Sequence, residues 1–460
     1  MSFPDSCKRL DAGIDGHLST YITKTKAIGA LVDFKSRAVV AVGLKGVGKS
    51  SAFRYLTEIS KDSNQVIIGI NPDKFTLHLT NRDLNYTTYR KQFEHDIVVE
   101  SLRAIIEHQD VLQTQVSGIK VLIEAARKEQ KAYLESVKQF IGRGVGVSVL
   151  GFGLNLGKAE SPVLVGLRPE KDVMSQYDTL SAICSAGVKV RIVVDDPEQV
   201  FSASRTLNEE LVGGFCLAAI RLSDAIPNLK IIALLKTHVY QPVLRSVDDL
   251  RRYPEHMIPL RWTPDELLEL LQLRIKAEGQ KWVDLFEGSE ANAKGLIRSE
   301  LKNITRNGPR DLLRTLDVAF QKSSTGKVGK SELAKARERA AQDSLDELTS
   351  AYNSLYPQLG DVVSAVFRDS ETRSFTIKEL RSHILTLMVN DHDMKALSKL
   401  KWLQSRSSQT LPEIFFETGV VALESGGTLT LPYEGEYTLD QFRKAESIRL
   451  VPGLIAAIAA

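Results

Sequence analysis

The stretch AVVAVGLKGVGKSSAFRYL, residues 38–56, decides the predicted fold. It opens with a short apolar run rich in β-branched residues, 38–42, which is typical of a buried strand in a parallel sheet. A glycine-rich turn follows, and residues 50–61 then have the pattern of a helix. The order strand, turn, helix predicts a loop at the carboxyl end of a core strand.

The turn fits the pattern G-x-x-x-x-G-K-[ST]. Glycines at this spacing let backbone N–H groups point at phosphate oxygens, and the N-terminus of the following helix favours negative charge. Lys49 is expected to lie along the β- and γ-phosphates, and the Ser50 hydroxyl to bind Mg2+. We therefore predict a P-loop that binds ATP with Mg2+. Its predicted nucleotide-contacting residues are Gly43, Leu44, Lys45, Gly46, Val47, Gly48, Lys49, Ser50 and Ser51.

Three further apolar runs, 66–70, 188–194 and 229–235, alternate with helical patterns. This alternation predicts an α/β fold with a parallel sheet flanked by helices. Residues 86–165 are interpreted as an insertion of long helices followed by a hairpin at 143–158. The insertion is either a partner surface or a simple packing element.

Two acidic residues follow the run 188–194, in KVRIVVDDPE. Asp195 is predicted to hold Mg2+ through water, because carboxylates at the carboxyl ends of such strands take that role. Asp196 is predicted to orient or deprotonate the attacking water, with Glu198 as the alternative. The competing interpretation is a solvated turn.

Two other positions are candidates for contact with the γ-phosphate. Lys236 and Thr237 follow the run 229–235 and belong either to such a sensor or to a surface loop. Arg310 stands in the sequence NGPR, where the proline fits a first helical turn. This arginine either stabilises charge in the transition state or is an ordinary surface residue.

Composition narrows the classes of function without choosing a partner. With 60 basic and 57 acidic residues the net charge is +3, which neither requires nor excludes nucleic acid. Cys7, Cys184 and Cys216 are few and widely spaced, which predicts buried thiols in a reducing compartment. No zinc motif, dinucleotide fingerprint, signal peptide or bilayer-length apolar stretch occurs, so we expect a cytoplasmic protein away from membranes.

Changes in texture along the chain predict five regions. The stretch SSTGKVGKS, 323–331, is not taken as a second nucleotide site, because Ser324 occupies the first glycine position. It is interpreted as a linker in which Ser331 caps the next helix. The regions are a helical lead-in (1–36), an ATPase core (37–245), a helical lid (246–325), a linker helix (326–344) and a winged-helix-like domain (345–460) whose hairpin contains VVAL and TLTLPY.

These blocks, with RYPEHMIPLRWTPDELLELLQLRI and NGPRDLLRTLDVAF, make the chain similar to bacterial P-loop ATPases of the KAP/STAND and ORC-like AAA+ kind. The resemblance extends over roughly residues 25–320. It implies that Asp195 and Asp196 are the Walker B acids, that Lys236 and Thr237 form a first sensor, and that Arg310 is a second sensor. His238 departs from the pattern, since related sequences often carry an acid there.

The leading functional hypothesis is an ATP-hydrolysing molecular switch that reports its nucleotide state to a protein partner or within a homo-oligomer. One alternative is an ATP-dependent DNA-binding protein, for which Lys399, Lys401 and Arg406 lie near the hairpin. Glutamates in the same region, Glu413 among them, favour a protein contact instead. A second alternative is a scaffold that binds ATP without hydrolysing it.

Overall fold

The computed structural model describes most of the chain. The described residues are 4–8, 18–59, 64–70, 85–142, 170–197, 205–304, 308–353, 355–368, 374–404, 410–425, 428–431, 442 and 444–459. They form two compact units. The sheet unit comprises Lys26–Val42 and Ala52–Ile258, and the P-loop unit comprises Met1–Thr25, Gly43–Ser51 and Pro259–Ala460. The five predicted regions stay a prediction.

The strands and the helices are each numbered along the chain. The strands are β1 (Val40–Gly43), β2 (Gln65–Ile70), β3 (Lys189–Asp195), β4 (Leu229–Lys236), β5 (Met257–Pro259), β6 (Ser374–Phe375), β7 (Val421–Ser425), β8 (Thr428–Thr430) and β9 (Ser447–Leu450). The first helices are α1 (Asp5–Lys8), α2 (Leu18–Tyr21), α3 (Lys26–Val32), α4 (Lys49–Arg54), α5 (Tyr86–Glu107), α6 (Gln109–Gln115), α7 (Ile119–Gly142), α8 (Glu170–Ser185), α9 (Arg205–Ala225) and α10 (Thr237–Ser246). The remaining helices are α11 (Pro264–Ala277), α12 (Trp282–Leu285), α13 (Glu290–Ile304), α14 (Pro309–Gln321), α15 (Lys330–Tyr352), α16 (Leu359–Phe367), α17 (Ile377–Asn390), α18 (His392–Leu397), α19 (Lys401–Gln404), α20 (Leu411–Glu417) and α21 (Ile455–Ala459).

The sheet unit is built around a five-stranded sheet in the order β2-β3-β4-β1-β5. Strands β2, β3 and β4 pair in parallel, with Val66 opposite Val190 and Val190 opposite Leu229. The predicted α/β fold is confirmed, and each of the four predicted apolar runs forms a strand. Strand β5 was not predicted, because three residues ending in proline carry no recognisable strand pattern.

Two buried cations hold α3 on this sheet. Lys230 donates hydrogen bonds to the carbonyl oxygens of Ala30 (2.9 Å) and Ser36 (3.0 Å), just inside and just beyond the end of the helix. Arg191 on the neighbouring strand donates to the carbonyl oxygens of Val32 (2.9 Å) and Leu56 (3.1 Å). Burial lowers the pKa of Lys230 to about 8. The carbonyl oxygens left without partners at the end of the helix explain why these two cations are buried.

The long helices predicted in the insertion are present as α5 and α7, with the short helix α6 between them. Helix α5 packs against α9 and also contacts α7 and α8, so its apolar side chains join the core of the sheet unit. The hairpin predicted at 143–158 lies outside the described residues.

The described residues of the P-loop unit form two hydrophobic cores. The first lies among α11–α15 and also includes Cys7 from α1. The second, which we call the tail core, lies among the elements from the C-terminal end of α15 to α21. Here the predicted hairpin is confirmed, since β7 and β8 pair antiparallel with Leu423 opposite Thr430. It belongs to a four-stranded sheet in the order β6-β9-β7-β8, of which β6 and β9 were not predicted.

Contrary to the prediction, Ser331 does not cap the helix that follows residues 323–331. Helix α15 begins at Lys330 with Gly329 as its N-cap, so Ser331 lies inside the helix and does not cap it. The Gly329 amide donates to the Glu332 carboxylate at 3.0 Å, which satisfies the end of the helix instead. Val328 is buried and pairs with Phe286, so this segment packs against the residue that follows α12.

All three cysteines are buried, as predicted, and none of them forms a disulfide. Burial raises the pKa of the Cys184 thiol to about 12. Among the helices in the described part of the chain, none combines the length and the apolar character needed to cross a bilayer.

Candidate nucleotide-binding site

The loop between β1 and α4 has a backbone conformation that is compatible with a phosphate-binding turn. Gly46 and Gly48 have φ angles of +86° and +99°, in the left-handed region that favours glycine. The Val47 amide donates to the Leu44 carbonyl at 3.3 Å and closes the turn. Helix α4 then begins at Lys49, so its N-terminal amides follow the loop directly.

The Lys49 side chain lies along its own loop. It is 7% exposed, and its Nζ lies 3.3 Å from the Gly43 carbonyl oxygen and 3.1 Å from that of Leu44. Ser50 is exposed, as is Lys45. The Lys49 ammonium therefore lies against the loop, whereas Lys45 is exposed.

Trp262, which follows β5, holds the middle of the loop. Its indole N–H donates to the Val47 carbonyl oxygen at 2.7 Å. A Cβ atom added to Gly43 would lie 3.1 Å from the Leu260 Cβ, so the segment before the tryptophan also contacts the loop. Sequence reasoning did not identify this contact, because Trp262 is separated from Val47 by 215 positions.

Arg310 lies beside the same loop, within the P-loop unit. Helix α14 begins at Pro309 with Gly308 as N-cap, so the predicted first-turn proline is confirmed. A Cβ atom added to Gly46 would lie 3.3 Å from the Arg310 Cβ, and one added to Gly308 would lie 3.2 Å from the Gly46 carbonyl oxygen. The two glycines permit this close approach. The structure thus places Arg310 and Lys49 at one loop, although they lie far apart in the sequence.

Replacing Trp262 by phenylalanine is expected to weaken nucleotide binding. The substitution leaves the Val47 carbonyl without its indole donor and loosens a loop whose rigidity pre-organises its amides. The loss of one such hydrogen bond, about 1–1.5 kcal/mol, corresponds to roughly five- to ten-fold weaker affinity by titration calorimetry.

The matched control for this prediction is Trp402→Phe. Trp402 also donates its indole N–H to a backbone carbonyl, that of Pro357, at 2.9 Å. Trp402 lies among the elements around the tail core and is not one of the predicted nucleotide-binding residues. Equal losses of affinity in both variants would show that Trp262 contributes only general stability.

The other candidate residues lie at strand ends in the sheet unit. Asp195 ends β3 and is 7% exposed. Asp196 follows with a φ angle of +44°, a strained conformation that costs about 1–3 kcal/mol in a residue other than glycine. Its Oδ2 lies 2.7 Å from the Nζ of Lys236, at the end of the adjacent β4. The structure therefore joins two residues that the sequence suggested for separate roles.

Thr237 begins α10 directly after this ion pair. Its side chain is 2% exposed, and its Oγ1 has no hydrogen-bond partner among the described residues. A buried hydroxyl without a partner carries a desolvation cost unless a ligand or water reaches it. Glu198, the alternative catalytic base, lies outside the described residues.

Both sets of residues fit the groups that the sequence predicts. The loop offers amides, two left-handed glycines and the Lys49 ammonium, which suit a triphosphate. The Ser50 hydroxyl in the P-loop unit and the Asp195 carboxylate in the sheet unit are each the kind of oxygen group that Mg2+ prefers. Within the sheet unit, the buried Thr237 hydroxyl has no hydrogen-bond partner among the described residues and can accept or donate a bond to a ligand or water.

Comparisons with known proteins give similarities in fold only. No protein-family model matches the chain, and no curated protein matches it. The Walker-type ATPase of Pyrococcus abyssi is 12% identical, with 95% of each chain covered and a TM-score of 0.45. The Aeropyrum pernix ORC1 protein, solved in complex with DNA, is 12% identical over 97% of this chain and 95% of that one (TM-score 0.37). The Aeropyrum pernix ORC2 protein, solved as ADPNP–ADP complexes, is 10% identical over 97% and 96% (TM-score 0.41).

Proposed function

We propose that this protein is a Mg2+-dependent ATPase that acts as a molecular switch. The observation that carries the proposal is the Gly43–Ser51 loop, with its two left-handed glycines and with Lys49 and Arg310 both lying against it. A turn of this kind gathers backbone N–H groups on one side, and the two cations supply the positive charge that a triphosphate needs.

Each residue receives a role from its chemistry. The loop amides and Lys49 bind the β- and γ-phosphates, and Arg310 contacts the γ-phosphate. The Ser50 hydroxyl and Asp195, acting through water, hold Mg2+, which when bound neutralises phosphate charge and helps to orient the phosphates. Asp196 orients or deprotonates the attacking water, while Lys236 holds this carboxylate in position at 2.7 Å.

The loop also has a physical connection to the tail, which supports the switch. The side chain of Leu44, inside the loop, packs against the tail core. Movement of the loop on binding nucleotide therefore changes a packed contact with the C-terminal region. Packed interfaces shift between discrete arrangements more readily than they deform continuously, so a small change at the loop can be transmitted to the tail.

The C-terminal region that contains the tail core, here called the tail, is proposed to bind a partner. Two acids of the tail are already engaged within it, since Glu413 pairs with Arg381 at 3.9 Å and Glu424 pairs with Arg449 at 3.2 Å. The tail surface near the β7–β8 hairpin is proposed to contact a second protein or another copy of the chain. DNA is the alternative partner, and salt-dependent affinity for DNA would identify it.

The proposal is tested with purified full-length chain. Titration calorimetry with Mg2+ and ATP measures binding, and released phosphate measures turnover, both with and without duplex DNA. Binding together with phosphate release supports the ATPase. Binding without release identifies the scaffold alternative, and absence of binding contradicts the proposal. The mass of the particle in solution, measured with and without ATP, shows whether copies associate.

A further inference from the structure

Arg310 has an acidic partner on the neighbouring helix. Helices α14 and α15 pack against each other, and Arg310 Nη1 lies 3.6 Å from Glu347 Oε1. The side chains are 27% and 15% exposed, so water screens this pair only in part. The aliphatic part of Arg310 thus lies against Gly46, whereas its guanidinium is directed toward a carboxylate on α15.

The carboxylate of Glu347 serves two arginines at once. The same Oε1 accepts a hydrogen bond from Arg314 Nη2 at 3.2 Å, which is shorter than its distance to Arg310. The other oxygen, Oε2, is buried and has no hydrogen-bond partner among the described residues. Arg314 also pairs with Asp343, one turn earlier on α15, at 3.8 Å. Arg314 therefore makes closer and more numerous contacts with the acids of α15 than Arg310 does.

A triphosphate on the loop competes with Glu347 for Arg310. Phosphate oxygens carry more negative charge than one carboxylate and form short, charge-assisted bonds with guanidinium groups. The 3.6 Å separation exceeds ordinary hydrogen-bond length, so Arg310 gives up an ion pair, but no hydrogen bond, when it leaves Glu347. Glu347 keeps Arg314 as its partner after that exchange.

We propose that Glu347 is a positioning residue that holds Arg310 in the absence of a γ-phosphate and releases it when ATP binds. This inference rests on the proposed function and names the regulation of the same site. Since Glu347 stands on α15, whose C-terminal end enters the tail core, the exchange transmits the presence of the γ-phosphate to the tail. ADP, which has no γ-phosphate, leaves the Arg310–Glu347 pair in place.

The test is Glu347→Gln, which keeps the shape of the side chain and removes its charge. Because Arg310 no longer has to leave a carboxylate, ATP affinity is expected to increase about five-fold, whereas ADP affinity changes less than about two-fold. Glu347→Asp keeps the charge but shortens its reach, and it should give a smaller increase. Both affinities are measured by calorimetry, with thermal unfolding as a check on folding.

Two comparisons separate this role from a structural one. In the Arg310→Ala background, Glu347→Gln should no longer change ATP affinity, since the two effects act through one contact. Glu300→Gln is the matched control, because Glu300 pairs with Arg337 and thereby also ties α15 to a neighbouring helix. Glu300→Gln should change neither the ATP affinity nor the ADP affinity.

The inference is overturned if Glu347→Gln leaves ATP affinity unchanged, changes ATP and ADP equally, or acts equally without Arg310. In each of these outcomes the wild-type chain still binds ATP through Lys49, so the proposed function stands. If wild type and Lys49→Ala bind ATP equally, or neither binds, the proposed function fails and this inference fails with it.

Discussion

Replacing Lys49 by alanine is expected to abolish ATP turnover and to weaken ATP binding at least about 100-fold. The ammonium group lies 3.1–3.3 Å from carbonyl oxygens of its own loop, and we propose that it binds the β- and γ-phosphates. A charge-assisted hydrogen bond from Lys49 to a phosphate oxygen contributes about 1.5–3 kcal/mol. Losing two such bonds to the phosphates therefore weakens ATP affinity by roughly two or more powers of ten. Calorimetry measures the binding, and phosphate release measures the turnover.

The control for this variant is Lys35→Ala, which removes an equal charge from an exposed position. It should bind and turn over ATP as the wild type does. Thermal unfolding shows whether the loss of the buried Lys49 side chain has unfolded the chain. A folded Lys49→Ala protein with wild-type turnover would refute the proposed nucleotide site.

Replacing Asp196 by asparagine is expected to lower kcat by about 100-fold or more while ATP affinity stays within a few-fold of wild type. Asparagine keeps the shape of the side chain but cannot accept the proton of the attacking water. The substitution also breaks the ion pair with Lys236, in which the Lys236 Nζ lies 2.7 Å from the Asp196 Oδ2 in the wild type. Single-turnover measurements with saturating ATP separate the chemical step from binding.

Asp224→Asn serves as the comparison, because Asp224 also pairs with a basic side chain of the sheet unit, that of His256 at 2.9 Å. It should retain wild-type turnover. If Asp196→Asn also retains turnover and Glu198→Gln loses it, the base has been assigned to the wrong acid. That outcome would leave the nucleotide site intact and move only the catalytic role.

Local patterns in the sequence identified the elements that form through their own residues. The β-branched runs became β1 to β4, the glycine turn adopted its left-handed conformations, and the first-turn proline of α14 was confirmed. Backbone preferences of glycine, proline and β-branched residues act over a few positions, so they can be recognised in one sequence. Strand β5 and the two-residue strand β6 were missed because they are too short to show a period.

Partners that are distant in the sequence could not be predicted from it. No local pattern indicates that Trp262 donates to Val47 or that Glu347 pairs with both Arg310 and Arg314. The assignment of Ser331 as a helix cap was wrong for a related reason, since Gly329 and Glu332 satisfy the end of α15 together.

The sequence by itself therefore determined the existence of the strand, glycine loop and helix, and the types of residue that can bind a triphosphate. Tertiary structure alone decided the strand order β2-β3-β4-β1-β5, the pairing of Asp196 with Lys236, and the position of Arg310 beside Gly46. The physical reason is that backbone conformation depends on neighbouring residues, whereas these contacts depend on how separate elements bury their apolar faces against one another.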